Sequence, residues 1–286
     1  MVQKTIGAAV SLTGVGLHSG KVTTVTLAPA PANTGRYFVI NGHTVPARVT
    51  EVKGTVLSTE IGGVRTVEHL LSALWGMGID NVAIEVEGEE IPIGDGSALP
   101  WVELIAQAGI VTQAERNPPP VLSRPVWVQE GDRFVVALPA PQLQFTYGID
   151  FPTRAIGVQW FTWMPALTSS GSTSSGSTSS GSTSSPDRRN SYVTEVAPAR
   201  TFTMADQVEK LRSQGLIQGG SLENAIVCDQ EKWLNPPLRF PDEPCRHKLL
   251  DLIGDLSLVP HLPVAHYIAY KASHNLHIQL ARSLSE

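Results

Sequence analysis

The chain has 286 residues, 42% of them hydrophobic, with 21 Lys and Arg against 26 Asp and Glu, a formal net charge of −5 and two cysteines. That length holds one large or two modest domains around a real core. The acidic balance excludes a coat for nucleic acid, and Cys228 and Cys245, without C-x-x-C spacing, exclude a disulfide framework; no apolar run approaches the ~18 residues of a membrane span. A cytoplasmic globular protein is expected.

Taken in chain order, Lys4 precedes IGAAVSLTGVGL (6–17), which has the makings of a signal peptide. Its Ser, Thr and internal glycines and the lack of a small-residue cleavage site predict a strand and turn instead. Val67, Leu70, Leu71, Leu74 and Trp75 recur at i, i+3, i+4, i+7 and i+8, which predicts a helix closed by Gly76 and Gly78. VAIEV (82–86) alternates as a strand, and Ser97 is placed to cap a helix carrying Trp101, Leu104, Ile105 and Ala108 and ended by Gly109. Pro118–Pro120 resist helix and strand alike and mark a hinge between a first domain, 1–120, and a second, 121–286.

The second domain has strands at FVVAL (134–138), LQFTY (143–147) and VQWFTW (158–163). Between VQWFTW and SYVTEV (191–196), residues 168–185 repeat a five-residue Ser/Thr/Gly unit with no apolar side chain. Such a stretch buries too little to offset its ordering entropy, so it is expected to be a flexible surface insert with no role in chemistry. Helices follow near 204–214, with Met204, Val208 and Leu211 on one face and Gly215 as the stop, and near 246–258. Strands and helices are segregated, which predicts α+β layers. No G-x-G-x-x-G or P-loop is present.

The segment richest in chemistry is RHKLLDLIGD, 246–255. Leu249, Leu252, Ile253 and Leu256 form the apolar stripe, while His247, Asp251 and Asp255 stack at i, i+4 and i+8 on the opposite side. Two ligands at i, i+4 converge on one ion; an ordinary solvated helix face is the alternative. Five of the eight histidines lie from residue 247 onward, of which His261, His266 and His277 are expected to be surface or packing residues. In TVEHLLSALWGMGIDN (66–81), His69 points away from the apolar stripe and Glu68 sits on its flank, both in the first helical turn. Either they are a surface histidine and a carboxylate beside the helix dipole, or His69 completes a His/His/Asp zinc triad with His247 and Asp251 while Glu68 is the general base.

TVEHLLSAL, GIDN, EIPIGDGSA (90–98), ARTF (199–202), GGSLENAIV (219–227) and RHKLLDLIGDL occur in one order, after the opening TGVGLHSG (13–20) and APAPANTG (28–35). Together they resemble the zinc-dependent UDP-3-O-acyl-N-acetylglucosamine deacetylases of bacterial lipid A synthesis, over nearly the whole chain outside the Ser/Thr/Gly insert. The resemblance implies two similar sheet-and-helix domains with the active site between them, Zn2+ held by His69, His247 and Asp251, and Glu68 as general base. It implies that Lys248 holds charge near the reacting centre or the nucleotide phosphates, that Thr201 hydrogen-bonds the oxyanion, and that Phe202 shapes the pocket.

His274, in KASHNLH (271–277), matches the histidine that protonates the leaving amine, oriented by Asp255, although Glu68 returning its proton is the other route. The family usually has Gly before that histidine and Asn three residues after it; here these are Ser273 and His277. The family's small insert in the second domain forms an apolar passage for the acyl chain, which would run from ARTF through GGSLENAIV. Met204, Val208, Leu211, Leu216 and Ile217 either line it or are ordinary helix-core residues. The implied partner is UDP-3-O-acyl-N-acetylglucosamine, acted on by a monomer. A catalytically silent binder of sugar nucleotides or lipids, or a metal hydrolase of another acylated amine, are the competing readings.

Overall fold

Alternation along Val22–Pro29 sets the first sheet: Thr23, Val25 and Leu27 are buried, while Thr24 and Thr26 turn outward and bond the hydroxyls of Thr13 and Ser11 across the pair at 2.9 and 2.8 Å. The computed structural model describes residues 2–115, 118–165 and 188–286, so the expected flexible insert at 168–185 lies outside the described residues. In chain order the first half contains β1 (Val2–Ile6), β2 (Val10–Val15), β3 (Val22–Pro29), β4 (Arg36–Ile40) and β5 (His43–Pro46), then a short insert with β6 (Val52–Gly54) and β7 (Glu60–Ile61). Helix α1 (Glu68–Gly76), β8 (Val82–Glu87), α2 (Leu99–Ala108) and β9 (Ile110–Glu115) complete it. The sheet order is β2-β3-β8-β4-β5, with β4 and β8 parallel; β9 pairs with β1. Ser97 stands one residue before the N-cap Ala98, and its Oγ accepts the N–H of Leu99 at 3.1 Å.

The second half repeats this plan. It has β10 (Val126–Glu130), β11 (Arg133–Pro139), β12 (Gln144–Asp150) and β13 (Val158–Trp163). Its insert holds α3 (Arg188–Glu195), β14 (Phe202–Met204), α4 (Ala205–Ser213) and β15 (Ile226–Cys228), followed by α5 (Glu243–Leu256), β16 (Ala265–Tyr270) and α6 (His274–Ser283). The sheet order β10-β11-β16-β12-β13, with β12 and β16 parallel, is the order of the first sheet element for element. Helix α3 takes in most of SYVTEV because Tyr192 and Val196, at i and i+4, are both buried; the Tyr192 hydroxyl lies 2.8 Å from Ser72 Oγ on α1. No helix among the described residues is long and apolar enough to cross a membrane.

The halves meet helix on helix, α1 against α5, and Trp75 of α1 packs edge-on to Phe145 and Trp163 of the second sheet at 5.6 and 6.3 Å. The approach is close because α5 presents Gly254: a Cβ there would land on the carbonyl oxygen of Glu68. Gly254→Val is therefore expected to cost about 1–3 kcal/mol of stability through overpacking, read as a lower denaturation midpoint at unchanged slope. A native midpoint would show that this contact does not set the helix spacing.

Candidate active site

The helix contact places the first turn of α1 against the polar side of α5. His247, Asp251 and Asp255 are 3%, 2% and 0% exposed, and Glu68 and His69 are 2% and 5% exposed. The solvated-face alternative for α5 is therefore wrong: its polar side is buried by α1. Likewise, Glu68 and His69 are not surface groups of an isolated helix.

Three ligand-type atoms converge here. Nδ1 of His247 lies 3.0 Å from the Ala199 carbonyl, which only accepts, so Nδ1 carries the ring proton and Nε2 keeps its lone pair. Burial pushes the pKa of this ring down to about 3 and keeps it neutral. Its Nε2 is 3.4 Å from Asp251 Oδ1, and His69 Nε2 is 3.5 Å from that same oxygen. Asp251 Oδ1 is buried without a hydrogen-bond partner. An imidazole lone pair facing an unpartnered buried carboxylate oxygen is repulsive unless a cation lies between them. A tetrahedral ion with ~2.0–2.1 Å bonds spaces its ligand atoms by ~3.4 Å, so His69, His247 and Asp251 fit a divalent metal. Burial raises the Asp251 carboxyl, but Lys248, whose Nζ donates to Oδ2 at 2.6 Å, and the two histidines hold it well below the usual carboxylate range.

A second group sits beside the first. Asp255, although in line with His247 and Asp251 on the helix, reaches α6: its Oδ2 accepts Nδ1 of His274 and Nδ1 of His277, each at 2.8 Å. Asp255, His274 and His277 also crowd within 4.8 Å of one another, but their facing atoms are satisfied by these hydrogen bonds rather than left open. Burial works against charge on His274, yet Asp255 and then Glu68 raise its pKa to about 9, so the ring is a cation at neutral pH. Burial would raise the Asp255 carboxyl, but His274 and His277 bring it to about 2. His274 Nε2 faces Glu68 Oε1 and Asp251 Oδ2, both at 4.0 Å. Burial raises the pKa of Glu68, the direction that suits a carboxylate to taking up a proton.

Sequence reasoning missed Thr59, which ties both groups together: its N–H donates to Glu68 Oε2 at 3.0 Å and its hydroxyl to Asp255 Oδ1 at 2.5 Å. It missed Glu90, whose carboxylate accepts the N–H groups of His18 and Ser19 and the Thr66 hydroxyl, pinning the TGVGLHSG loop beside α1. No spacing rule marks either residue. His277, expected at the surface or in packing, is fully buried on Asp255; His261 is exposed, and half-buried His266 sits 2.8 Å from Thr146 Oγ1.

ARTF is held to α5 by Glu243, which accepts the Arg200 N–H and guanidinium, and by the His247–Ala199 bond. Thr201 then hydrogen-bonds Gly96, whose positive φ of 87° and missing Cβ let EIPIGDGSA pass against the Asn224 carbonyl of GGSLENAIV. Three motifs distant in sequence thus meet at one point. A cavity of about 530 Å³ opens there, lined by Glu68, His69, Thr201, Phe202, His247, Lys248, Asp251 and His274. Its apolar wall is formed by Leu17, Phe151, Met204, Val208, Leu211 and Ile217. Helix α4 buries none of its residues, so Val208 and Leu211 are not helix core; Leu216 lies outside the lining.

The family model described as LpxC: UDP-3-O-acyl N-acetylglycosamine deacetylase matches residues 3–286. A UDP-3-O-acyl-N-acetylglucosamine deacetylase of Thermosynechococcus vestitus is 52% identical, over 99% of this chain and 94% of its own length. One of Synechocystis sp. is 49% identical, over 99% of this chain and 98% of its own. A probable mitochondrial one of Arabidopsis thaliana is 43% identical, over 99% and 88%. The chain belongs to the LpxC family of UDP-3-O-acyl N-acetylglycosamine deacetylases.

Proposed function

We propose that this deacetylase removes the N-acetyl group of UDP-3-O-acyl-N-acetylglucosamine with zinc as its metal, releasing acetate in the committed step of lipid A biosynthesis. The observation that carries the reading is the orphaned Asp251 Oδ1 between two imidazole nitrogens, with Glu68 and His274 facing it at the head of an apolar cavity. We take 1–120 and 121–286 as the two units that build this site, and the cytoplasm as its compartment, where the buried free thiols of Cys228 and Cys245 stay reduced.

Zinc held by His69, His247 and Asp251 would polarise the acetamide carbonyl and acidify the attacking water. Glu68 Oε2 is occupied by the Thr59 N–H, which leaves Oε1 to take the proton from that water as its oxygen bonds to the acetyl carbon. The Thr201 hydroxyl donates to the carbonyl oxygen as negative charge grows on it. His274, cationic and held by Asp255 through Nδ1, donates its Nε2 proton to the sugar nitrogen as the C–N bond breaks. Phe202, stacked edge-on to Phe151 at 5.4 Å, shapes the wall beside the reacting group. Lys248 neutralises charge near Asp251 and the substrate's phosphates. Met204, Val208, Leu211 and Ile217 receive the acyl chain, whose burial contributes ~0.8 kcal/mol per methylene.

Acetate release by purified protein supplied with this UDP-sugar tests the reading. Turnover that stops on chelation and returns with Zn2+ is the expected result. A metal-replete protein that binds the sugar nucleotide without releasing acetate would instead be a silent binder.

A further inference from the structure

Where the family resemblance leads one to expect Asn three residues after the reactive histidine, this chain has His277, which is fully buried and makes two contacts that meet around His274. Its Nδ1 shares the single acceptor Asp255 Oδ2 with Nδ1 of His274, and the two rings stand 5.9 Å apart at 76°. Its Nε2 lies 3.1 Å from the hydroxyl of Tyr147, on β12. That hydroxyl also lies 2.8 Å from the carbonyl of Ala272, two residues ahead of His274, so its one proton is shared between that oxygen and the Nε2 lone pair of His277. Tyr147 is itself fully buried, so neither contact competes with water. One hydroxyl therefore grips the chain on both sides of His274, before it at Ala272 and after it at His277.

We propose that Tyr147 and His277 form a positioning clamp that aims His274 at the leaving nitrogen by fixing the Asp255 carboxylate and the first turn of α6. Asp255 is held from both oxygens, by the Thr59 hydroxyl on Oδ1 and two imidazoles on Oδ2, and these three bonds fix the plane of its carboxylate. The His274 ring hangs from that carboxylate by Nδ1, and its Nε2 must reach the space between Glu68 and Asp251. Removing the His277 donor frees the carboxylate to turn and carries Nε2 off line; a ~1 Å misplacement of a reacting group can cost ~10²-fold. His277 is not among the residues that line the cavity, so it acts through Asp255 and His274 and not on the substrate.

The inference rests on the deacetylase reading with His274 as the proton donor, and the two fail differently. Absence of acetate release by the native enzyme sinks the reading itself. With the native enzyme active, His277→Leu is expected to lower kcat roughly 10–100-fold, the usual effect of losing an outer partner, with KM and bound metal unchanged. His277→Asn, whose side-chain N–H replaces Nδ1 as the donor, is expected to retain kcat within roughly threefold of native. In a His274→Ala background, His277→Leu should cost nothing further, because the residue through which it acts is gone. Should His277→Leu fail to fold, Tyr147→Phe, which deletes one oxygen, takes its place: a kcat loss that vanishes in the His274→Ala background supports the clamp. Native kcat in His277→Leu or Tyr147→Phe, His277→Asn as impaired as His277→Leu, or a loss that persists without His274 overturns it.

Discussion

Glu68→Gln is expected to lower kcat by about 10²–10⁴-fold, the usual range for a lost general base, while the protein keeps its full complement of metal. Glutamine preserves the shape of the side chain and still offers an oxygen to the Thr59 N–H, so the first turn of α1 is retained. What it cannot do is accept a proton. It also removes one of the anions that raise His274, after burial has worked against that ring's charge, so the proton donor weakens along with the base. Metal per chain by elemental analysis and kcat on the UDP-sugar, measured on the same preparation, decide the matter. Native kcat would move the base elsewhere; loss of metal would make Glu68 a ligand or a prop for one.

His247→Ala is expected to abolish tight metal binding and, with it, acetate release. Outer partners of a metal site alone cost about 10–100-fold in affinity or activity; a lost ligand from a set of three costs more. The substitution leaves His69 and Asp251 with too few protein ligands for a catalytic zinc, and it strips the Ala199 carbonyl of its hydrogen bond, loosening ARTF and Thr201. Dialysis against a competing chelator followed by metal analysis is the direct measurement. A variant that holds one zinc per chain as tightly as the native protein would show that His247 is not a ligand.

Much of the site was legible because helical spacing is local geometry. Spacing alone puts His247 and Asp251 on one helix face and Glu68 and His69 in the first turn of an apolar helix, while leaving open whether either group meets water. The α+β layering also followed from segregated strand and helix patterns, and the structure carries it through two sheets of identical order. Other features had no local signature. Asp255 shares a line with Asp251 but lies a helical turn further on, ~6 Å along the axis, and so serves His274 and not the group of His69, His247 and Asp251. Thr59 and Glu90 matter only through partners far away in sequence.

Periodicity, then, gave the helices, the strands and the shared helix face of His247 and Asp251, since each depends on residues a few positions apart. Which side of α5 meets water was a different kind of question. Its polar side looks solvated in isolation, and burial against α1 reverses that, because Gly254 lets the Glu68 backbone come into contact. Burial keeps the His247 ring neutral, whereas Asp255 is ionised and His274 protonated through their pairing, against the same burial. Desolvation and long-range pairing determine these, and both exist only once two halves of the chain have packed together.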